Sequence, residues 1–430
     1  MHDPRVLLDP ATDAVRKLAR RGYTLDVAAL EKLLTARNGA IHRGDEARAE
    51  SRRVAAEVRG ASAEERPALV ERARELKVVV AAAEAEQRDA DAELTDLLLG
   101  IPNLPSDESP DGDSDEAAEL VSTWSPPGHP DRPAFDFTPL DHVDLGEKLG
   151  ILDLPRATKL AGPRFVVLKG RGAQLERALA RYFLDVAAAN GYTEFSVPTL
   201  VNRETMTGTG QLPKFEADLF KTGSKTDSAD RELFLIPTAE VPLTNLHARE
   251  TLALEELPLA YTAHTQCFRS EAGSYGRDTR GMIRVHEFSK VELVRIVDAA
   301  TSRAELDVLL GHAEAVMQGL GLAYRVVKLA AGDTGFSAQL TFDIEVWLPG
   351  QQRYREIASA SDFGTFQARR AGIRTRAKDG TRGFAATLNS SGLPIGRTLV
   401  AVLEQGQQAD GSVHIPEALV PYTGFDVLTP

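Results

Sequence analysis

The chain has 430 residues, of which 43% are hydrophobic and 26% are charged, and its formal net charge is −13 at neutral pH. These values are ordinary for a globular protein with one large core and a smaller module. They argue against a protein coated in basic residues for general nucleic-acid binding, although a local basic patch is compatible with them.

Membrane insertion and cysteine chemistry find no support in the sequence. No apolar run approaches the roughly 20 residues that span a bilayer, and the first residues lack the basic start and apolar stretch of a secretory signal. The sole cysteine, Cys267, excludes an internal disulfide and a cysteine-rich zinc site. We therefore expect a cytoplasmic protein without a membrane partner, in which Cys267 is a small core residue and not a nucleophile.

Residues 26–99 have the pattern of an antiparallel helical hairpin. Apolar residues step by four and three over 69–97, with one polar interruption at Gln87, and a weaker seam of small residues runs over 30–58. The turn between them ends near Pro67, which suits a first helical turn. A hairpin of this length cannot bury its outer face, so the pattern predicts either a dimerisation coiled coil or an arm that reaches a large partner.

The charge of the hairpin tip differs from that of the whole chain. Residues 37–77 hold ten basic side chains and eight acidic ones. Phosphate contacts are therefore predicted for the arginines of this region, which are Arg43, Arg48, Arg52, Arg53, Arg59, Arg72 and Arg74. A solvated face with pairs of opposite charge explains the same residues nearly as well.

The remaining chain is predicted to consist of a linker and a catalytic body. Residues 103–135 are rich in proline, glycine and acid, which is typical of a linker or wrapped loop between an arm at 1–102 and a body at 136–430. Long helices are predicted in the body over 173–190, 302–320 and 393–408. Most other segments resemble strands joined by turns, so we expect an α+β fold with a mostly antiparallel sheet flanked by helices.

Residues 267–297 are predicted to run as strand, polar loop and strand. Period-two alternation places on one face of the return strand the side chains of Arg284, His286, Phe288, Lys290 and Glu292, and on the entering strand those of Cys267, Arg269 and Glu271. Such a face is too costly to bury without partners, which indicates a floor for a charged ligand. No glycine-rich phosphate loop follows a strand, so a bound nucleotide would rely on arginines and backbone of this sheet.

Several segments resemble the seryl-tRNA synthetase family, bacterial type, of the class II aminoacyl-tRNA synthetases. Motif 2 is matched by FRSEAGS–GRDTRG–IRVHEFSKVEL and motif 3 by GLPIGRTLVAVLEQGQQADGSVHIPEALVPY. The serine-binding loop is matched by Thr238–Glu240, and the segment that binds ATP and metal by YREIASASDFGTFQARR. The hairpin resembles the family's arm, so the resemblance covers essentially the whole chain in order.

The resemblance implies a serine–tRNA ligase. Such an enzyme activates L-serine with ATP and Mg²⁺ and transfers the seryl group to the 3′ end of serine tRNA, and selenocysteine tRNA is a further acceptor to consider. It also implies a homodimer formed around Pro198 and an arm that grips the long variable loop of the tRNA. Departures at Glu287, Ala358 and Ala360 keep open a paralogue that charges a carrier protein or biosynthetic acceptor. A non-catalytic tRNA-binding paralogue is the other alternative, but such a protein should have lost arginines or metal ligands of the site, and these remain here.

The same resemblance assigns the site residues. For ATP they are Arg269, Ser270, Glu271, Arg284, Val285, Phe288, Glu356, Ile357, Ala358, Ser359 and Arg397, of which Arg269 and Arg397 are catalytic and Glu356 and Ser359 hold the metal. For serine they are Thr238, Ala239, Glu240, Arg269, Glu292, Asn389 and Ser391. The loop at 273–281, with Arg277 and Arg280, resembles the loop that meets the tRNA acceptor end.

The implied roles agree with the chemistry of the side chains. Arg269 would hold the α-phosphate and the serine carboxylate, Arg284 would meet the γ-phosphate, and Glu271 would accept from the adenine amino group. Phe288 and Arg397 would sandwich the adenine ring. Thr238 and Glu240 would receive the serine ammonium, Glu292 would accept from the serine hydroxyl, and Val285, Ile357 and Ala358 would offer backbone. His286 and Lys290 share the predicted face without an assigned role.

Overall fold

The structure, a computed structural model, describes residues 1–224, 231–272 and 280–430. Arg277 and most of the predicted acceptor-end loop lie outside the described residues. The chain divides into two compact units, one formed by His2–Ala19 and Tyr23–Pro102, the other by Met1, Arg20–Gly22 and Asn103–Pro430. Among the described residues, no helix combines the length and the apolar character that crossing a membrane requires.

The smaller unit is helical and contains the predicted hairpin. Its helices are α1 (Pro4–Leu8), α2 (Ala14–Ala19), α3 (Val27–Gly60) and α4 (Arg66–Gly100). The Asp26 side chain caps α3 by accepting the N–H of Ala29 at 2.8 Å. In the turn, Ser62 and Glu65 form a reciprocal capping box, with backbone-to-side-chain distances of 3.1 and 3.3 Å.

Small side chains allow the two long helices to approach closely. The buried residues follow the predicted steps, namely Leu30, Ala40, Gly44, Ala47 and Val54 of α3 and Leu76, Ala83, Ala90, Leu94 and Leu98 of α4. A Cβ atom built at Gly44 would lie 3.6 Å from that of Ala83. On the outside, ion pairs cross between the helices, among them Arg48 with Glu84 and Arg72 with Glu50. The hairpin prediction is confirmed.

The larger unit alternates short helices with strands. Its helices are α5 (His142–Lys148), α6 (Leu154–Ala161), α7 (Arg171–Ala189), α8 (Arg203–Gly208), α9 (Glu240–Asn245), α10 (Ser302–Gly319), α11 (Phe366–Ala371), α12 (Ile395–Gly406) and α13 (Val420–Thr423). Its strands are β1 (Glu119–Trp124), β2 (Thr193–Glu194), β3 (Leu200–Asn202), β4 (Lys221–Ser224), β5 (Arg231–Leu235), β6 (Thr251–Ala253), β7 (Leu259–Phe268), β8 (Glu287–Val297), β9 (Tyr324–Lys328), β10 (Leu340–Leu348), β11 (Arg353–Asp362), β12 (Arg374–Arg376), β13 (Arg382–Phe384), β14 (Ala386–Pro394), β15 (Val413–His414) and β16 (Val427–Leu428).

An eight-stranded sheet organises this unit, in the order β1-β9-β10-β11-β14-β8-β7-β2. Its neighbours pair antiparallel, except for the parallel pair of β2 and β7. On one face, Val291 and Leu293 of β8 join a core that includes apolar residues of α7, α10 and α12. The alternate residues of β8, among them Lys290 and Glu292, therefore point to the opposite face. The predicted fold class, an α+β body with a mostly antiparallel sheet, is confirmed.

One strand lies inside the predicted linker at 103–135. β1 pairs with β9 at the sheet edge, and Trp124 stacks on Tyr324 with ring centroids 5.6 Å apart. Most β1 side chains are exposed, so the strand is held by backbone pairing and leaves no alternating apolar pattern to detect in the sequence.

The strand boundaries around the predicted ligand floor also differ from the prediction. β7 ends at Phe268 and β8 begins at Glu287. The predicted return strand starting at Arg284 was therefore wrong, because Arg284 and His286 precede the strand and Arg269 follows the entering one.

The backbone beyond β7 turns toward a neighbouring loop. The N–H of Arg269 still donates to the carbonyl of His286 at 2.9 Å, but the N–H of Ser270 donates to the carbonyl of Asp218 at 2.9 Å. Glu271 has φ of 52°, in the left-handed region, which ends extended pairing. The charged side chains therefore project from the bend that lies between the end of β7 and the start of β8.

Candidate functional site

Two adjoining cavities, of about 300 and 640 Å³, meet where β7 ends and β8 begins. They share walls made of Arg269, Glu271, Arg284, Lys290, Glu356 and Ser391. The smaller cavity is also lined by Val285, Phe288 and Arg397, and the larger one by Thr238, Glu240, Ser359 and Asn389. The fold thus brings together predicted residues that lie far apart in the sequence.

The smaller cavity combines an aromatic face with two guanidinium groups. The Arg269 guanidinium carbon lies 5.2 Å from the ring centroid of Phe288. Arg397 donates from Nε to the carbonyl of Ile283 at 3.1 Å and from Nη1 to the carbonyl of Glu356 at 2.9 Å. These bonds fix the start of α12 against β11. An aromatic face flanked by guanidinium groups is suited to a flat π-system such as a purine.

Arg284 faces the site with unused hydrogen-bonding capacity. Its Nη1 donates to Oε2 of Glu271 at 2.8 Å, while its buried Nε has no partner in the described part of the chain. A buried donor without an acceptor is costly, so this geometry favours an anionic ligand.

The predicted metal ligands carry oxygen donors and neighbouring charge. The Ser359 hydroxyl donates to Oδ1 of Asp343 at 2.6 Å, which leaves its oxygen lone pairs available. Burial, followed by the nearby Glu356 carboxylate, raises the pKa of Asp343. Burial would also raise the pKa of Glu356, but Arg397 and then Arg269 outweigh it and lower that pKa. An ionised carboxylate and a hydroxyl fit a hard cation such as Mg²⁺.

The metal would need further ligands from its substrate. Within 1–224, 231–272 and 280–430 no group of three or more histidine, cysteine, aspartate or glutamate side chains could hold a metal ion. Two protein ligands plus phosphate oxygens are a common arrangement for Mg²⁺.

Glu240 lines the larger cavity, and a second buried carboxylate, that of Glu292, lies behind the cavity wall. Glu240 accepts from Nε2 of Gln367 at 2.7 Å and from Nδ2 of Asn389 at 3.0 Å. The same Asn389 amide donates to Oε1 of Glu292 at 3.0 Å, so it bridges the two carboxylates. Burial, followed by the charge of Glu292, raises the pKa of Glu240 to about 7. This pair of carboxylates is suited to a ligand that brings a positive charge and a hydroxyl.

Five predicted residues face the site differently from those above. Ala239, Ile357 and Ala358 are buried and line neither cavity, while Val285 is buried in the wall of the smaller one. The Ser270 hydroxyl donates to the carbonyl of Ala217 at 2.7 Å and is turned toward that loop. Its side chain is therefore engaged away from both cavities.

Sequence reasoning missed three side chains that organise the site. Lys290 received no role although its alternation with Glu292 signals a shared face. Gln367 and Asp343 hold Glu240 and Ser359, respectively, but nothing in the sequence links these pairs. Cys267 is buried, and burial raises the pKa of its thiol, as expected for a core residue.

A buried histidine connects α5 and α12 to the smaller cavity. His142 donates from Nδ1 to Oε1 of Glu404 at 3.0 Å, and its Nε2 accepts the N–H of Met282 at 3.1 Å. The adjacent carbonyl of Ile283 is the acceptor for Arg397. His142 therefore anchors the segment on which Arg397 rests.

Replacing Gly281 by alanine is expected to disturb this anchor. Gly281 has φ of +89°, and a Cβ atom there would lie 2.2 Å from Nε2 of His142. We expect G281A to weaken binding of a purine nucleotide in the smaller cavity about tenfold or more, with ATP as the probe in calorimetry, and to lower thermal stability. The matched control is G380A, at φ of +88° with no atom within 4 Å of the added Cβ, which should cost only the backbone strain of about 1–3 kcal/mol. If both variants weakened ATP binding equally, the anchoring role of His142 would be contradicted.

Comparison with known proteins gives matches over nearly the whole chain. Residues 1–105 match the model of the seryl-tRNA synthetase N-terminal domain, and residues 220–406 match that of the tRNA synthetase class II core domain (G, H, P, S and T). The chain is 56% identical to serine–tRNA ligase 2 of Streptomyces avermitilis, covering 100% of this chain and 99% of that protein. It is 51% identical to serine–tRNA ligase of Nitratidesulfovibrio vulgaris, covering 99% and 98%. Seryl-tRNA synthetase from Pyrococcus horikoshii, solved with ATP, superposes with a TM-score of 0.91 at 33% identity over 100% of both chains.

Proposed function

Because the chain belongs to the seryl-tRNA synthetase family, we propose that it is a serine–tRNA ligase. The family and the ligase activity predicted from the sequence are confirmed. The observation that carries the detailed proposal is the buried pair of Glu240 and Glu292, bridged by Asn389, beside a cavity lined by arginines and Phe288. The pair of carboxylates suits the ammonium and hydroxyl of serine. The smaller cavity, with its arginines and Phe288, suits ATP.

In the first reaction, a carboxylate oxygen of serine attacks the α-phosphorus of ATP, and the bond from that phosphorus to pyrophosphate breaks. Arg269 lines both cavities, so its planar guanidinium can bond the serine carboxylate and the α-phosphate at once. Arg284 would bind the γ-phosphate through its Nε, which has no partner among the described residues. Positioning and charge stabilisation dominate phosphoryl transfer, and these side chains supply both.

The adenine and the metal have separate positions in this proposal. Phe288 and Arg397 would hold the adenine ring, and Glu271, which lines the same cavity, would accept from its amino group. Glu356 and Ser359 would hold Mg²⁺, which neutralises phosphate charge when bound. The oxygen donors described above fit that ion.

In the second reaction, a terminal ribose hydroxyl of the tRNA attacks the seryl carbonyl, and AMP leaves. Selectivity for serine arises from Glu292, because alanine would leave its buried acceptor position unfilled. Threonine carries the hydroxyl and must be rejected by the size of the pocket, which gives weaker discrimination.

The test is ATP–pyrophosphate exchange measured with each amino acid in turn. We expect serine to drive exchange at least 10³-fold better than alanine in kcat/KM, since a hydroxyl-reading site rejects the analogue that lacks the group. If another amino acid drove exchange best, the assignment of serine as the substrate would be wrong. Exchange with serine but no transfer to serine tRNA would favour the carrier-protein alternative.

The hairpin is proposed to bind serine tRNA. Arg48 and Arg72 are held in ion pairs across the helices, and Arg43 contacts Glu86. Arg52 and Arg59 are exposed near the tip and have no ion pair in the described part of the chain. These two arginines are therefore better placed than the paired ones to bind phosphates.

Reversing both charges is expected to affect tRNA alone. R52E/R59E should lower kcat/KM for tRNA in aminoacylation about tenfold or more, reduce the salt dependence of binding by about two counterions, and leave ATP–pyrophosphate exchange unchanged. R374E/R376E, which reverses two exposed charges on β12, is the matched control and should leave both activities unchanged. Unaltered tRNA kinetics in R52E/R59E would exclude these contacts.

Three further expectations stay predictions. A homodimer would form around Pro198, where exposed Leu200 and Leu246 line a groove of about 670 Å³, and light scattering would measure it. A cytoplasmic location fits the use of charged tRNA. Charging of selenocysteine tRNA can be measured with the purified transcript.

A further inference from the structure

Lys290 lies at the centre of the larger cavity's polar network. Only 4% of this residue is exposed. Its ammonium donates to Oγ1 of Thr238 at 2.9 Å and forms an ion pair with Oε2 of Glu292, a residue with no exposed surface. A buried ammonium and a buried carboxylate in contact stabilise each other's charge, and removal of either leaves the other uncompensated.

The hydrogen bonds leave Glu292 with one vacant acceptor position. Its Oε2 accepts from Thr238 at 3.0 Å and from Lys290, while its Oε1 accepts only from Asn389 among the described residues. A carboxylate offers about four acceptor positions, so a lone pair on Oε1 remains for a ligand hydroxyl. The Thr238 hydroxyl is fully used, because it accepts from Lys290 and from the N–H of Glu240 at 3.2 Å and donates to Glu292.

The charges divide the two carboxylates between two tasks. Glu292 has a cation of its own, whereas Glu240 is held by the neutral amides of Gln367 and Asn389. Glu240 therefore has no ion-pair partner among the described residues, and the ammonium of an amino acid would supply one there. Lys290 keeps Glu292 from competing for that ammonium.

We propose that Lys290 is a specificity-determining positioning residue, whose ion pair with Glu292 fixes the vacant acceptor position of that carboxylate toward the hydroxyl of the amino acid. This inference rests on the proposed serine–tRNA ligase function. Lys290 acts through Glu292 and Thr238 and need not contact the substrate. Its contribution lies in the preference for serine over alanine.

The test compares wild type with K290M in ATP–pyrophosphate exchange, using serine and alanine. Methionine keeps most of the lysine stem, so packing is retained while the charge is lost. Glu292 would then lie beside the carboxylate of Glu240 without a cation in contact. A buried carboxylate that has lost its partner is no longer held in one orientation, so its vacant acceptor position is no longer fixed toward the substrate hydroxyl.

We expect the serine-to-alanine ratio of kcat/KM to fall at least tenfold in K290M. The KM for ATP should stay within about threefold, since Phe288 and Arg397 are untouched. An equal loss for serine and alanine would overturn the proposal, because a structural defect has no reason to distinguish them.

A double-mutant cycle keeps the proposal testable if K290M is unstable. E292Q removes the charge that Lys290 is proposed to hold, so K290M/E292Q should show the serine-to-alanine ratio of E292Q within about twofold. Independent, multiplied losses would contradict the inference. If wild type itself shows no exchange with serine, the proposed function fails; if wild type prefers serine and K290M keeps the full ratio, only the role of Lys290 fails.

Discussion

Replacing Arg269 by lysine is expected to lower kcat/KM for ATP–pyrophosphate exchange about 10²–10³-fold, a loss of about 3–4 kcal/mol of transition-state stabilisation. Arg269 lines both cavities and lies over Phe288, and its guanidinium has no ion pair in the described part of the chain. It is therefore free to bond two ligand groups. Lysine keeps the charge but cannot make two directed, coplanar hydrogen bonds.

The loss in R269K should appear mainly in kcat, because the serine carboxylate and the α-phosphate must be held together only as the new bond forms. Thermal unfolding should change little, since the backbone bond to His286 does not involve the side chain. R325K is the matched control: Arg325 pairs with Glu345 and lines neither cavity. An R269K enzyme with kcat/KM within about threefold of wild type would show that the guanidinium geometry is dispensable.

The charged residues of the site could be predicted from the sequence because they break a local rule. Arg269, Phe288 and Glu292 occupy a segment whose neighbours form a buried sheet, and a polar face there requires a ligand or partners. The alternation held within β8, where Glu292 pairs with Ala263 and Ser391 in register. The predicted alternation was wrong for Arg284, because periodicity does not show where a strand begins. The left-handed conformation of Glu271 could not be predicted either, because no residue pattern indicates it.

The partners of the site residues could not be predicted in the same way. Gln367 reaches Glu240 from α11, and Asp343 reaches Ser359 across the β10–β11 pair. These contacts depend on strand register and helix placement, which arise from packing of the whole core. Lys290 could have been included, because a buried carboxylate requires compensation and Lys290 is the nearest cation on the same face of the strand.

Protonation of Glu240 is expected to set the pH dependence of serine use. Burial, and then the charge of Glu292, raises the pKa of this carboxyl to about 7. The ionised form binds the serine ammonium, so kcat/KM for serine should be constant above pH 7 and fall about tenfold per pH unit below it. In the pH profile of kcat, the acidic fall in activity should lie at lower pH than in the profile of kcat/KM, because a bound ammonium stabilises the carboxylate. If kcat/KM for serine showed no acidic fall between pH 6 and 8, this role of Glu240 would be contradicted.

The same shift predicts opposite effects of E240Q on function and on stability. A carboxyl whose pKa is raised on folding holds more protons in the folded state, so its contribution favours folding at low pH and is lost as pH rises from about 4.5 through 7. Raising the pKa from 4.5 to about 7 corresponds to a cost of about 3 kcal/mol for the ionised form. E240Q avoids this cost, so its stability relative to wild type should increase with pH over that range.

Serine binding should respond in the opposite direction, because the amide cannot neutralise the ammonium. We expect E240Q to raise the KM for serine about 10²–10³-fold at pH 8, as loss of one partner of a buried charge pair costs about 2–5 kcal/mol, while the KM for ATP stays nearly constant. D362N is the matched control, since Asp362 is a buried carboxylate with a raised pKa that lies outside both cavities. A more stable enzyme that no longer uses serine would show that Glu240 is kept for the ligand at the expense of the empty protein, whereas a destabilised E240Q would show that the carboxylate serves the fold.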